Sequence, residues 1–187
     1  MKQDLRIAVT KRMIQEALLR LLKTKPLDKI KINELCAESG VNRATFYRHY
    51  ETLHEVLHEI EVEFIRQMPH PAKPPRTVTE ARDHMEAVCT YFYDHSDMIK
   101  LLFLNRTDAD MRQGLNEFYR SFLELRNKEM PASDMDEDSV KVIIALVGGG
   151  GYCLLQQWIL GDILKSPKEI ADVLCNVIRW PGCSDFS

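Results

Sequence analysis

Residues 34–57 read ELCAESGVNRATFYRHYETLHEVL. Leu35 and Cys36 open a short helical pattern, and Gly40 follows its last turn as a stop signal. Val41 is apolar, and the Asn42 side-chain oxygen can cap a second helix. That second helix, about 43–50, buries Phe46 and turns Arg43, Thr45, Tyr47, Arg48 and His49 outward, with no carboxylate among them. Upstream, Met13, Ile14, Ala17, Leu18, Leu21 and Leu22 fall at the 3-4 spacing of an amphipathic helix that ends at Thr24-Lys25-Pro26. Two short helices joined through Gly-Val-Asn, behind a long amphipathic one, are the layout of a helix-turn-helix.

A helix of that kind enters a major groove, so its outer face needs phosphate donors and base-edge readers rather than acids. Arg43 can bond guanine bidentately, Thr45 can reach a base edge or a thymine methyl, and the Tyr47 hydroxyl suits a phosphate. Tyr50 is expected as a half-buried aromatic. Charge is divided in the same sense. Residues 1–52 carry a balance of +5 and residues 53–187 one of −8, within a net of −3. A basic head on an acidic body points to a polyanion-binding part and a part with another task.

This segment resembles the DNA-binding segment of the TetR family of bacterial transcription regulators. The resemblance is carried by Gly40-Val41, Thr45-Phe46-Tyr47, Tyr50 and Leu57, and TKRMIQEALLRLLKTKPLDKIKI (10–32) is similar to that family's first helix and connecting loop. It implies DNA contacts at Asn42, Arg43, Thr45, Tyr47 and His49, with Arg48 beside them. Thr52 matches a residue opening the fourth helix, where backbone N–H groups hold a phosphate. Two positions depart from the pattern. Lys31 stands where a Thr or Ser often caps the second helix, and Leu53 where a phosphate-binding Lys is common. Lys11 and Arg12, near the start of the first helix, are further candidates for backbone or minor-groove contact, with a merely solvated pair as the alternative.

The expected organisation is all-α. Residues 1–52 form the helix-turn-helix domain, and 53–76 a connecting helix and a loop stiffened by Pro69, Pro71, Pro74 and Pro75. Residues 77–187 form a bundle with helices at about 77–95, 97–105, 109–129, 134–160 and 167–180. Broad apolar faces are expected at Val140, Ile143, Ile144, Val147, Leu154, Leu155, Trp158 and Ile159. A second such face runs through Ile170, Val173, Leu174, Val177, Ile178 and Trp180. The resemblance implies that this bundle dimerises through its last two helices and encloses a small-molecule pocket. Polar or aromatic residues set in apolar helices are its candidate lining: His84, Tyr91, Phe103, Tyr119, Gln156 and Trp158. Gly148–Gly151 are expected to kink or soften the long helix, whose backbone there lies close to a neighbour or ligand.

His54-Glu-Val-Leu-His58 matches the zinc-protease pattern H-E-x-x-H. The usual extension fails, since Glu61 stands where Gly is needed and Phe64 where a third His is needed. Leu53, Val56, Leu57, Ile60 and Phe64 instead line one helical stripe facing the first helix, with His54, His58 and Glu61 expected on its flank. No resident metal, no cofactor and no enzymatic activity are therefore expected, with an adventitious or regulatory metal, or a proton, on the His54/His58 pair as the alternative. Five cysteines without a C-x-x-C suit a reducing cytosol. The charged N-terminus lacks a signal-peptide core, and no run is expected to approach the ~18 apolar residues of a membrane span. The expectation is a cytoplasmic homodimer without membrane partners, acting as an effector-responsive repressor on a pseudo-palindromic operator. An activator, or a partner-binding helical module with little DNA affinity, is the alternative.

Overall fold

The computed structural model describes residues 2–71, 73, 75–105, 113, 116, 117, 120 and 136–177. Every regular element among them is helical: α1 (Lys2–Leu22), a 3-10 turn (Leu27–Lys29), α2 (Ile32–Ser39), α3 (Arg43–His49), α4 (Leu53–Arg66), α5 (Val78–Asp94), α6 (Ser96–Asn105), α7 (Glu137–Leu160) and α8 (Pro167–Val177). They divide into two units, Met1–Arg66 and Gln67–Ser187.

In the first unit α1 packs on α2 and α4, and α2 on α3. Helix α1 buries Ile14, Ala17, Leu18 and Leu22, as its spacing predicts, but Met13 is exposed. It also begins at Lys2, so Leu5, Ile7 and Val9 lie on exposed turns that the apolar pattern had left out. Gly40 ends α2 in the left-handed region, φ 69°, which a side chain would strain. Lys31 caps α2 without a side-chain bond, whereas the Asn42 side chain accepts from the Thr45 N–H at 2.8 Å and starts α3.

Helix α4 buries Leu53, Val56, Leu57, Ile60 and Phe64, so the expected stripe is present. Two expectations need correcting. Glu61 is buried, not on the flank. Because α4 packs on α1, it belongs to the head, which runs to Arg66 and not to the boundary drawn at residue 52.

In the second unit α5 lies along α8, burying Ala81, Met85, Val88, Cys89 and Phe92 against a face that includes Ile170, Ala171 and Cys175. An Arg82–Asp172 ion pair ties the same two helices. Helix α6 packs on α5 and α7. Trp158 is buried, and its indole N–H donates to the Lys165 carbonyl at 2.8 Å, closing the α7–α8 connection. The observed bounds match the expected helices within a few residues. Of the helix expected at 109–129, only Gln113, Asn116, Glu117 and Arg120 are described, all helical; Ile178 and Trp180 lie outside the described residues.

Ser166 and Glu169 form a reciprocal cap on α8: the Ser166 N–H donates to Glu169 at 2.9 Å and the Glu169 N–H to the Ser166 hydroxyl oxygen at 3.3 Å. The Ser166 backbone and hydroxyl, then Lys165, hold the Glu169 carboxyl down at about 2. A depressed carboxyl stabilises the fold above its ordinary value of 4.5 and loses that effect as pH falls through its folded value. Glu169→Gln is thus expected to lower the melting temperature modestly at pH 7, with the gap closing as pH falls from 4.5 towards 2.

Helix α7 runs through Gly148–Gly151 without a break. Within that span glycine's weak helix propensity is overridden by the packing of the surrounding turns. Close approach occurs at Gly148. A Cβ on Gly148 would stand 1.8 Å from the Asn116 amide oxygen, whereas one on Gly149 or Gly150 would meet nothing within 4 Å. That amide oxygen is buried without a hydrogen-bond partner among the described residues, so it sits directly against the helix backbone. Gly148→Ala must displace Asn116, at a cost of about 1–3 kcal/mol from overpacking. Asn116→Ala in the same chain should recover most of that loss in a denaturant titration.

The membrane expectation also needs correcting. Glu137–Leu160 is long and apolar enough to cross a bilayer by length and composition, because residues 142–160 carry no charge. Glycines and two glutamines dilute that run, which hid it from a search for continuous apolar residues. The core helix of a soluble protein passes the same test, and α7 buries Ile144, Tyr152, Leu155, Trp158 and Ile159.

Candidate nucleic-acid interface

The outer face of the head is built on two buried rings. Phe46 is fully buried and Tyr50 nearly so, with centroids 6.0 Å apart, and they pin the inner side of α3. Asn42, Arg43, Tyr47 and Arg48 are exposed, while Thr45 and His49 are half-buried. Arg43 donates to the Tyr47 hydroxyl at 3.2 Å and lies over its ring at 5.4 Å, one helical turn away. The guanidinium is therefore held along the helix before any ligand arrives. Among the seven residues of α3 none is acidic, and Arg48 and His49 stand in its last turn.

The remaining candidates are placed differently. Thr52 and Glu55 cap α4: the Thr52 hydroxyl oxygen accepts from the Glu55 N–H at 3.2 Å, and the Glu55 carboxylate accepts from the Glu51 N–H at 2.8 Å. This is the S/T-x-x-E capping pattern. The Glu55 carboxylate thus lies near the α4 N-terminus, where the resemblance implies a phosphate. Lys11 is engaged by Glu59 at 2.8 Å and Arg12 by Glu16 at 2.8 Å, so neither is poised on α3's outer face. Leu53 is buried in the α4 stripe, which explains why no lysine stands there.

The same cap reassigns HEVLH. Its glutamate is a helix-starting group, both histidines are exposed, and His58 Nδ1 lies 3.9 Å from Glu61. Among the described residues no group of three His, Cys, Asp or Glu is arranged to hold a metal ion.

In the body the effector candidates form separate pairings. Tyr91 and His95 form a tilted pair with ring centres 4.3 Å apart, Phe103 meets Tyr152 edge-on at 5.6 Å, and Trp158 stacks on Tyr93 at 6.1 Å. His84 is half-buried, and burial together with the nearby His70 lowers its pKa. Gln156 is half-buried on α7, and Tyr119 lies outside the described residues.

Sequence reasoning missed a group behind α3. The Tyr50 hydroxyl donates to Glu59 and accepts from the Gln15 amide at 3.3 Å. Their separations of 9 and 35 residues leave no local signal of the contact.

Comparison with known proteins agrees with this architecture. A family model for the TetR regulators, described as a transcriptional regulator C-terminal region, matches residues 79–179, over half of the chain. A TetR transcriptional regulator from Streptococcus agalactiae 2603V superposes with a TM-score of 0.67 at 20% identity, covering 95% of this chain and 97% of that one. The dihydroxyacetone kinase operon activator DhaS superposes with a TM-score of 0.65 at 12% identity, covering 91% and 94%. At these identities the two structures show a shared fold. No curated protein sequence matches significantly. The helix-turn-helix resemblance rests on residues 10–60 and the family match on 79–179, so two separate parts of the chain lead to one assignment. The chain belongs to the TetR family of transcriptional regulators.

Proposed function

We propose that the chain is an effector-responsive repressor that binds a pseudo-palindromic operator as a cytoplasmic homodimer. The observation that carries this reading is the acid-free outer face of α3, with Arg43 and Tyr47 already joined on it. Arg43 reads guanine, Thr45 an adjacent base, and Tyr47, Arg48 and His49 position the helix on phosphates. Two copies enter successive major grooves on one side of the duplex.

Dimerisation is supported by the open side of α7. Val142, Ala145, Leu146, Gly150, Cys153, Gln157 and Leu160 are exposed at helical spacing, with Gly149 partly so, and Val173 is exposed on α8. Gly149 and Gly150 leave room there for a second backbone. An effector bound in the body acts by changing the separation of the two heads, shifting the population from the DNA-competent form. Half-buried aromatics suit an apolar or planar compound.

Titrating the full-length chain into a dyad-symmetric duplex at several salt concentrations tests the reading. Affinity should fall linearly on a log–log plot, with a slope of about −0.9 for each phosphate contact. Salt-independent binding, or none, would sink it. A reporter strain sets the sign: repression is the expected outcome. The activator reading is favoured only by the likeness to a protein named as an operon activator.

A further inference from the structure

Helix α3 is seven residues long, about 10 Å at 1.5 Å per residue. A small rotation about its axis would re-aim Arg43, Thr45 and Tyr47. What holds it from within is largely ring burial by Phe46 and Tyr50. Apolar burial is non-directional, so it sets depth better than rotation. Hydrogen bonds are directional, and the helix ends on one. Tyr50, its C-terminal cap residue, sends its hydroxyl to the Glu59 carboxylate on α4.

The bond is fixed from every side. The second Glu59 oxygen takes Lys11 of α1 at 2.8 Å, and the Lys11 ammonium lies 5.2 Å from the centre of the Tyr50 ring. Gln15, one turn along α1, donates to the Tyr50 oxygen at 3.3 Å. Burial, and then the bond and charge of Glu59, push the Tyr50 hydroxyl well above its usual range, so it stays protonated and donates. Burial works against the Glu59 charge, but the bonds from Lys11 and Tyr50 prevail and hold its carboxyl below its ordinary value. A phenylalanine at position 50 would fill the same space with no buried hydroxyl to satisfy, so burial alone does not account for the tyrosine.

We propose that Glu59 is a positioning residue for DNA reading: through the Tyr50 hydroxyl it sets the orientation of α3, and through Lys11 it references that orientation to α1. The inference rests on α3 being the DNA-reading helix. It also assigns Lys11 to this clamp rather than to phosphate.

The test uses the full-length chain and its Tyr50→Phe, Glu59→Gln and Glu59→Leu variants, well below their melting temperatures. Each is titrated against a dyad-symmetric duplex recovered from a random pool with the wild-type chain, used as the operator, and an unrelated duplex of equal length. Tyr50→Phe should lose about tenfold in operator affinity, the scale of one charge-assisted hydrogen bond, with unrelated-duplex affinity within about twofold, since phosphate binding tolerates a small rotation. Glu59→Leu should lose as much, and the double variant no more, as for groups acting through one bond. Glu59→Gln, whose amide oxygen still accepts from Tyr50, should stay within about threefold of wild type. An unchanged specificity ratio in Tyr50→Phe and Glu59→Leu would overturn the proposal. So would equal losses on both duplexes, the mark of general destabilisation. A wild-type chain that binds neither duplex would overturn the DNA-reading assignment itself, a separate failure.

Discussion

Arg43→Ala combined with Tyr47→Ala should reduce operator affinity by about 100-fold or more while leaving the melting temperature nearly unchanged. A bidentate arginine–guanine contact is worth about 1–3 kcal/mol of discrimination. In the proposed complex the tyrosine would add a phosphate bond, and it already holds the arginine through the 3.2 Å bond and the ring beneath it. Because the two side chains act as one unit, the single variants should not add: Tyr47→Ala should already remove part of what Arg43→Ala removes. Tyr47 keeps 46% of its surface exposed and Arg43 is exposed too, so neither substitution opens the core. Surface changes of this kind usually lie within about 0.5 kcal/mol of neutral. Anisotropy titrations with the operator and an unrelated duplex, alongside thermal melts, check the claim. Undiminished operator affinity in the double variant would show that α3 does not read DNA.

Val142→Glu with Leu146→Glu should convert the proposed homodimer to monomers at micromolar concentration. These positions are 66% and 72% exposed in the protomer, so carboxylates there are solvated and α7 remains helical. In the proposed dimer the same carboxylates would meet an apolar surface, two from each copy. Burying an unpaired charge costs several kcal/mol even after relaxation, enough for a shift of more than about 1000-fold in the dimer constant. Sedimentation velocity reads the change directly. Operator affinity should fall with it, because a monomer engages one half-site. An unaltered dimer would place the interface elsewhere. Recovery of the wild-type chain from the membrane fraction would give the uncharged run of α7 a different role.

The legibility of this chain followed the range of its interactions. Head features that depend on neighbours within a few residues could be read directly: the Gly40 stop, the Asn42 cap, the buried Phe46 and the α4 stripe from Leu53 to Phe64. Glu55 was read only inside a five-residue metal pattern, whereas its structural role is the equally local cap it forms with Thr52. Tertiary contacts were not legible. Nothing near Lys11 or Gln15 signals Glu59 or Tyr50, and without that partner Lys11 looks like a phosphate donor. In the body, α7 is apolar nearly all round, so periodicity could not say which side faces the core. Val173 was assigned to the apolar face of α8, yet it is 49% exposed. Gly148–Gly151 carried the known cost of glycine in a helix but not the position of Asn116, which separates a packed Gly148 from an open Gly149 and Gly150.

The central claim is that two copies of this chain read a symmetric DNA sequence through α3. Selection of bound duplexes from a random pool by the full-length chain tests it without presupposing an operator. The account predicts an inverted repeat whose half-sites contain a guanine that loses its enrichment when the selection is repeated with Arg43→Ala. Recovery of no repeat, or of the same repeat with the Arg43→Ala chain, would contradict it.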